Sequence, residues 1–547
     1  MRRWLPEFLR SAAARAAVLV ALLCAHADSA HSQQATVAEL PRVFLDTRMP
    51  SSGGRTLTVG PRGDFQAALD RARPGDEIVL QAGATYAGNF VLPVKMGASR
   101  TPGTGLVITV RSSALSSMRE GRRVGPGDTL MMARLVTRTN GVEVIGTSPG
   151  TSGWRLAGLE ITAAPSVTQL GRLVRFGDGN GVIQNTVERV PQNLVLDRSY
   201  VHAGPTLDIR RCIDLHSAAS AVIDSYIAGC HSSNGDAQAI VGWNGPGPYK
   251  IVNNYLEAST ENINFGGADP GIPDLVPSDI EVRRNHLFRP VAWKGAWLVK
   301  NLFETKSAKR VLVEGNVMEN NWAHGQAGSA IVLKSTNQDG RCPWCGTQDV
   351  TFRLNLIRNT GSGFNLSAAP DPNVTNFPLQ RITITDNVIV NIDVAPFSGD
   401  GRGFLINGNV TDMTIAHNTL LSPTNSAVSF GGSPQSPAVR LIIRDNIIGG
   451  GQYGVKGAGL GAGTATMNTY MRGGAFQGNV LILPNGSGYP AGTFFASSLA
   501  AVGFANVAGL DFRLVAGSAF RNRGTDGRDP GADIDALNAA IAGVVVP

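Results

Sequence analysis

Short runs in which apolar and polar residues alternate recur along this chain, and many of them end in an asparagine. Typical runs are Ile251-Val-Asn-Asn-Tyr-Leu and Ile384-Thr-Asp-Asn-Val-Ile. The recurring asparagines are Asn254, Asn285, Asn316, Asn355, Asn387, Asn418, Asn446 and Asn479. The gaps between them are 31, 31, 39, 32, 31, 28 and 33 residues. Because repeats of roughly 20 to 50 residues are typical of solenoids, the pattern predicts stacked coils.

Residue types within and between these runs indicate that each coil consists of strands and turns. β-Branched residues alternate with polar ones, and Gly, Pro, Asn and Asp lie between the runs. Stacking would place the asparagines above one another, where their amides can hydrogen-bond to each other or cap the bend. We therefore predict an all-β solenoid with structural asparagines. Since its core grows coil by coil, 547 residues can form one elongated domain.

Both ends of this solenoid are predicted to carry caps. Asp64 is a candidate N-cap for a helix over residues 65–72, which Pro74-Gly75 ends. Near the other end, Asp511-Phe-Arg-Leu is a candidate closing strand, and residues 533–541 have a helical pattern. The predicted divisions are an N-terminal cap with the first coils at 56–160, the β-helix proper at 161–525 and a C-terminal cap at 526–547.

The first residues have the pattern of an export signal. Arginines precede an apolar run over residues 16–24, and Ala25-His-Ala27 follows as a small-residue cleavage site. We predict a signal peptide at 1–27, a linker at 28–55, and a secreted or periplasmic monomer without stable membrane insertion, because the run is too short to span a bilayer. Removing four Arg and one Glu with the signal lowers the net charge from +7 to +4. This charge favours an acidic partner weakly and does not indicate nucleic acid.

The four cysteines that follow the predicted signal peptide are compatible with an oxidising compartment. Cys212 and Cys230 are 18 residues apart, and Cys342-Pro-Trp-Cys345 lies in the longest gap of the repeat. Buried thiols and loop-closing disulfides are both compatible with these positions.

Two segments and the asparagine-punctuated coils carry a family resemblance. The segments "VGPRGDFQAALDRARPGDEIVL" and "NGVEVIGTSPGTSGWRLAGLEI" resemble exported proteins of the right-handed parallel β-helix, or pectate-lyase-like, superfamily. The resemblance implies a right-handed parallel β-helix with an N-terminal capping helix and a short C-terminal helix. That superfamily includes polysaccharide lyases, glycoside hydrolases, uronate epimerases and non-catalytic surface proteins, so fold alone does not give the activity.

A third segment is similar to one coil of a lyase family within that superfamily. "WLVKNLFETKSAKRVLVEGNVMENNW" resembles the Lys-Ser-containing coil of the alginate-lyase and chondroitinase B family. It departs from that coil because the acidic residues before Lys306 lack the calcium-ligand spacing and no Arg-x-Gly follows. Motifs of polygalacturonases and mannuronan epimerases are absent from the sequence.

Strand alternation predicts which polar side chains point away from the core. Ile263 and Phe265, for example, should point inward, so that Asn262 and Asn264 point outward. The predicted outward stripe consists of Asp214, His216, Asn262, Asn264, Lys300, Lys334 and Asn365. Residues at its edges are Asp236, Gln238, Glu261 and Glu304.

This stripe favours β-elimination on a uronate-containing polysaccharide. The reaction needs a base for the C5 proton, neutralisation of the carboxylate and an acid at the glycosidic oxygen. Lys300 is the predicted base, with its pKa lowered by Lys334 nearby, and His216 is an alternative acid or base. Calcium is the cofactor that could be bound, by Asp236, Glu261 and Glu304. Substrate-binding candidates are Asp214, Gln238, Asn262, Asn264, Asn365, Trp243 and Trp297.

Aromatic residues add a second indication of a sugar ligand. Five of seven tryptophans, Trp243, Trp293, Trp297, Trp322 and Trp344, fall between residues 243 and 344. Flat rings can pack on pyranose faces, so the cluster suits a binding groove. Two alternatives stay open: a non-catalytic carbohydrate-binding or envelope protein, and a hydrolase that would need a carboxylate pair such as Asp214 and Asp236.

Overall fold

Three long sheets of parallel strands wind around one apolar core. The computed structural model describes residues 37–50, 53–368, 377–484 and 486–545; the predicted signal peptide lies outside these ranges. Within them, sheets A, B and C contain 15, 14 and 12 strands. The chain passes from A to B to C and enters sheet A again one coil further along. The protein is therefore an all-β parallel β-helix, as predicted.

The strand bounds by sheet are as follows. Sheet A contains Thr56–Val59, Glu77–Leu80, Ile108–Ser112, Ser152–Ala157, Gln192–Asp197, Ser220–Ile223, Tyr249–Val252, Ser278–Arg283, Ala308–Glu314, Thr347–Arg353, Leu379–Thr385, Val410–Ala416, Ala438–Arg444, Met471–Arg472 and Ala475–Gln477. Sheet B contains Thr85–Ala87, Ala133–Thr137, Leu159–Ala163, Tyr200–His202, Tyr226–Cys230, Tyr255–Ala258, His286–Phe288, Val317–Glu319, Leu356–Thr360, Val388–Ile392, Thr419–Leu420, Ile447–Gly449, Val480–Ile482 and Phe494–Ala496. Sheet C contains Phe90–Leu92, Ile145–Thr147, Gln169–Gly177, Asp208–His216, Gln238–Gly242, Glu261–Phe265, Phe303–Thr305, Ser329–Lys334, Ser362–Ala368, Arg402–Gly408, Ser426–Gly431 and Val455–Gly457. The remaining strands, Phe504–Asn506 and Asp511–Leu514, form a separate antiparallel pair. Helices α1 to α4 are Phe65–Arg71, Thr464–Tyr470, Leu499–Val502 and Ile534–Ile541, and 3-10 helices span Leu115–Ser117, Pro126–Met131, Val187–Arg189 and Val291–Trp293.

The recurring asparagines lie at the bend from sheet A to sheet B. Asn285 Oδ1 accepts hydrogen bonds from the backbone N–H and from Nδ2 of Asn254, at 2.9 and 3.0 Å, and Asn285 Nδ2 donates to the Ile251 carbonyl at 2.8 Å. The same contacts continue from coil to coil as far as Asn479. These buried amides therefore satisfy backbone groups that the bend leaves without partners.

Helices close both ends of the core. Asp64 accepts a hydrogen bond from Ala67 N–H at 2.9 Å, which confirms it as the N-cap of α1. Phe65 and Leu69 of α1 are buried in the core at the N-terminal end. Met467 and Tyr470 of α2 enter the core at the other end.

Segments near the two chain ends cross the outer faces of sheets A and B. Residues 37–50 run along sheet A, where Asp349, Asp279 and Lys250 hydrogen-bond to their backbone. Helix α4 packs on the outer face of sheet B rather than over the solenoid end, and its Leu537 lies in one apolar cluster with Val317. The predicted closing strand, Asp511–Leu514, pairs outside the three sheets.

Both cysteine pairs form disulfides. Cys212 is joined to Cys230, and Cys342 is joined to Cys345. All four residues are buried. Among the described residues, no helix is both long and apolar enough to cross a membrane.

Candidate functional site

Ionisable and amide side chains form a row on the outward-facing side of sheet C, here called the sheet C face. Register aligns Asp214 with Val241, Asn264, Glu304, Val332 and Asn365 on successive strands. Strand alternation sends these side chains away from the core.

Much of this face is covered, in contrast to the predicted exposed stripe. Asp214, His216 and Glu304 are fully buried. The loop that follows strand Gln169–Gly177 folds over part of the face, where Asp178 O accepts a hydrogen bond from Asn244 at 2.9 Å. Interloop contacts of this kind do not follow from alternation.

Lys300 forms the centre of a charged cluster on this face, the Lys300 cluster. Its Nζ hydrogen-bonds to Asp236 and lies 3.9 Å from Glu261 Oε1. Gln238 Nε2 donates to Glu261 Oε2 at 2.8 Å. The Lys300 and Asp236 side chains are 19% and 33% exposed, whereas Glu261 is buried. A ligand could thus reach Lys300 and Asp236 directly.

Burial and charge act in opposite directions on this cluster. The pKa of Glu261 is raised to about 7, mainly by burial and then by Glu304 and Asp236, while Lys300 opposes the shift. Burial alone would lower the pKa of Lys300, but the carboxylates of Glu261 and Asp236 outweigh it and raise that pKa. Lys300 is therefore an ammonium group at neutral pH.

The predicted pairing of Lys300 with Lys334 is wrong. Lys300 precedes the strand Phe303–Thr305, whereas Lys334 follows Leu333, the residue that pairs with Thr305 at the other end of that strand. Lys306 Nζ lies 3.7 Å from Glu304 Oε1. Because carboxylates surround Lys300, the expected lowering of its pKa is also wrong.

His216 is held inside the protein. Its Nδ1 lies 3.3 and 3.4 Å from the donating N–H groups of Trp243 and Asn244, and its Nε2 lies 3.9 Å from Asp214 Oδ1. Burial, reinforced by Arg211 and Arg172, holds the pKa of His216 well below its ordinary value. The imidazole is neutral and covered, so the expectation of a solvent-facing acid or base is wrong.

Asn262 and Trp243 also face protein rather than an open groove. Asn262 Nδ2 donates to the carbonyls of Leu256 and Phe288, at 2.6 and 2.9 Å, and so holds the bend between sheets B and C. The Trp243 ring is buried, and its Nε1 donates to Gly179 O at 3.1 Å. These contacts assign both side chains structural positions.

Trp297 is a predicted binding residue that is partly exposed, as are Trp293 and Trp344 of the same cluster. It stacks on His231 with ring centroids 3.9 Å apart, and Trp293 packs edge-on against the same imidazole at 5.2 Å. Both tryptophans lie in the segment that leads to Lys300. They provide apolar ring surface near the Lys300 cluster.

The three predicted calcium ligands lie in one region of the sheet C face, since Glu304 and Asp236 both raise the pKa of Glu261. Asp236 and Glu261 contact Lys300, while neither Glu304 oxygen nor Asn264 Oδ1 has a hydrogen-bond donor among the described residues. Glu304 and Asn264 are aligned on adjacent strands. Their buried oxygens fit the oxygen preference of calcium, so this pair could hold the ion.

A second cluster of carboxylate and imidazole side chains that could bind a metal ion lies nearer the C-terminus. Ligand atoms of His417, Asp445 and Asp526 lie within 4.8 Å of one another. Asp445 already accepts hydrogen bonds from Thr525 N, Thr525 Oγ1 and Arg444, at 2.6, 2.7 and 2.7 Å. This group therefore fastens the C-terminal segment to the solenoid.

Sequence reasoning missed two basic residues of the sheet C face, Arg172 and Arg211, and named Lys306 only within the family resemblance. Arg172 Nε lies 3.0 Å from Asp214 Oδ2, and Arg211 Nε lies 3.6 Å from Asp214 Oδ1. Burial raises the pKa of Asp214, and the two arginines oppose the shift. The presence of arginines inside otherwise apolar strands was the available signal. Their common partner, Asp214, could not be predicted because it depends on the register between coils.

Comparison with known proteins gives structural similarity at low sequence identity. No protein-family model matches the chain, and no curated protein matches it. A PL6 family alginate lyase aligns at 13% identity and a TM-score of 0.49, over 90% of this chain and 59% of that one. A mannuronic acid specific polysaccharide family 6 lyase from human gut microbiota aligns at 14% and 0.48, over 81% and 91%.

A third similar structure is a glucanase. The catalytic domain of a GH87 α-1,3-glucanase in complex with tetrasaccharides aligns at 14% identity and a TM-score of 0.42, over 83% of this chain and 68% of that one. The fold assignment rests on the three sheets of this chain itself.

Proposed function

We propose that this protein is an exported enzyme that cleaves a uronate-containing polysaccharide by β-elimination on the sheet C face. The observation that carries the proposal is Lys300, a partly exposed ammonium group hydrogen-bonded to the more exposed Asp236 and backed by buried Glu261. A proton donor and a proton acceptor thereby meet at one accessible point of the face.

The elimination can be written with these two groups. Asp236 takes the C5 proton of the uronate, the C4–O4 bond breaks to leave a C4=C5 double bond, and Lys300 protonates the departing oxygen. Proton transfer from Asp236 to Lys300 along their hydrogen bond restores the starting state. Assigning Lys300 as the acid follows from its raised pKa.

Neutralising the uronate carboxylate would make the C5 proton more acidic. Lys306 and Lys334, which directly follow the paired residues Thr305 and Leu333 on neighbouring coils, are suited to this task. A calcium ion held by Glu304 and Asn264 would supply the same neutralisation. The elimination itself is assigned to Asp236 and Lys300 in either case.

The test is ultraviolet absorbance of unsaturated uronate while the protein is offered pectate, alginate or glycosaminoglycans, with and without calcium. We expect a rising signal on one polymer and its loss in Lys300→Ala and in Asp236→Asn. Lys309→Ala is the matched control, because Lys309 lies on sheet A away from the site.

Two results would contradict the lyase proposal. New reducing ends without the absorbance would indicate hydrolysis. Polymer binding without either signal would instead favour a non-catalytic carbohydrate-binding protein.

A further inference from the structure

Two arginines on neighbouring strands of sheet C share one buried carboxylate. Arg172 is aligned with Arg211, and both direct Nε toward Asp214. Asp214 is fully buried. The carboxylate lies 3.0 Å from Arg172 Nε and 3.6 Å from Arg211 Nε, so its charge holds both guanidinium groups beside it and leaves their terminal nitrogens on the far side. These residues are called the arginine pair below.

The terminal nitrogens of the arginine pair are available to a ligand. Across the part of the chain that the structure describes, no Nη atom of Arg172 or Arg211 has a hydrogen-bond acceptor. Their side chains are 28% and 23% exposed. By contrast, nearby Arg175 is engaged with Glu143 at 2.6 Å and with Thr147 O at 3.1 Å.

Packing against Trp243 holds the arginine pair in place on its buried side. The Arg211 guanidinium lies 4.9 Å from the Trp243 ring centroid, a cation–π contact. The same ring packs on His216 with centroids 4.1 Å apart. The buried groups around Asp214 therefore make an oriented support for two outward-facing guanidinium groups.

The arginine pair lies at a defined distance from the Lys300 cluster. Register aligns Arg211 with Gln238 and then with Glu261, the residue that faces Lys300. At ~4.8 Å between strands, Arg211 is about 10 Å and Arg172 about 14 Å from the Glu261 strand. One pyranose repeat of an extended polysaccharide is comparable in length to one strand spacing.

We propose that the arginine pair is a carboxylate-binding subsite for a uronate residue two to three sugars from the bond cleaved at Lys300. Planar guanidinium groups match carboxylates in bidentate geometry, which favours this ligand over a neutral sugar. The inference rests on the proposed function for the identity of the bound polysaccharide. It assigns Asp214 as the positioning residue that orients both arginines.

Binding of uronate oligomers of increasing length, measured with all variants in the Lys300→Ala background, tests the subsite without a cleavage step. Calorimetry with dimers, tetramers and hexamers of galacturonate, mannuronate or guluronate should show affinity rising once the oligomer spans Lys300 and the arginine pair. We expect Arg172→Gln with Arg211→Gln to lose this gain, a loss of roughly tenfold or more for the hexamer and little for the dimer. Arg175→Gln is the matched control, and it should keep the gain.

Folding of the variants is checked separately. The double variant leaves Asp214 buried without its partners, so Asp214→Asn is added in a triple variant that removes the charge as well. Thermal unfolding confirms that each protein is folded, and the triple variant should show the same loss of length dependence.

Three outcomes would overturn the subsite: an unchanged length dependence in a folded triple variant, equal binding of carboxyl-reduced oligomers, or tighter binding of a sulfated oligomer that lacks uronate. A failure of the proposed lyase would show up separately, as absence of unsaturated product from a protein that still binds the oligomers.

Discussion

Glu261 is a carboxylic acid whose side chain is buried beside Lys300 and Asp236. Its pKa is raised from 4.5 to about 7, first by burial and then by Glu304 and Asp236. Between these values the folded state keeps a proton that the unfolded state releases, so the free energy of unfolding decreases as pH rises through this window. The contribution of protonated Glu261 to the free energy of unfolding is complete below pH 4.5 and lost above about pH 7.

Replacing Glu261 with Gln should remove this part of the pH dependence. The amide keeps the shape and stays neutral, so the variant should be the more stable protein above pH 7, by ~1.4 kcal/mol for each unit of the pKa shift removed. Denaturant unfolding at mildly acidic and mildly alkaline pH measures the difference. Exposed Glu120, changed to Gln, is the control, and equal pH profiles for wild type and Glu261→Gln would contradict the prediction.

At the residue scale, the sequence predicted which residues form the row on the sheet C face better than it predicted their ion-pair partners. Alternation identified Asp214, Asn264 and Asn365, which the register aligns. It named Lys300 but not the partners of that residue, because Lys300 lies between strands, where alternation does not fix which groups it meets. The placement of Lys306 and Lys334 directly after the paired residues Thr305 and Leu333 depends on the coil length, which the asparagine spacing does not fix in every coil.

Asn316 is a buried link in the bend between sheets A and B. Its Oδ1 accepts from Asn285 N–H at 2.9 Å, and its Nδ2 donates to Val282 O at 3.0 Å. Asn316→Ala would leave both buried backbone groups without partners, and should lower the free energy of unfolding by about 3 to 5 kcal/mol. Chemical denaturation measures this loss.

A surface asparagine provides the control for the Asn316→Ala variant. Asn409 is exposed, so Asn409→Ala should change stability by about 0.5 kcal/mol or less. Similar losses at Asn409 and Asn316 would contradict the structural role of the asparagines.

At the element scale, periodic features could be predicted and isolated ones could not. The asparagine bends repeat, and Asp64 has an ordinary N-cap pattern, so both were found from sequence. Helix α2 follows the Gly-rich run 457–463, and its N-cap Gly463 offers no side chain to mark the start. The covering loops of the sheet C face depend on contacts between coils.

The three faces of the molecule have different roles. Residues 37–50 cross sheet A, and α4 crosses sheet B, where it packs against residues of several coils. Sheet C instead carries the Lys300 cluster and the arginine pair. A ligand running along the solenoid axis would meet one coil after another on this face.

Leu537 tests whether α4 stabilises the solenoid independently of the site. It is 3% exposed and packs with Val317 and Leu356 on sheet B. Leu537→Ala should lower the free energy of unfolding by about 2 to 5 kcal/mol, through lost apolar burial and the cavity left behind. Since coils contact mainly their neighbours, hydrogen exchange should rise first in the strands under α4.

The control for Leu537 is Leu130, which is 85% exposed and should tolerate Ala with little change. Under conditions where Leu537→Ala remains folded, oligomer binding at the arginine pair should equal that of wild type, because α4 lies on another sheet. Weaker binding by folded Leu537→Ala would contradict independence and indicate that packing on sheet B is coupled to the sheet C face through the shared core.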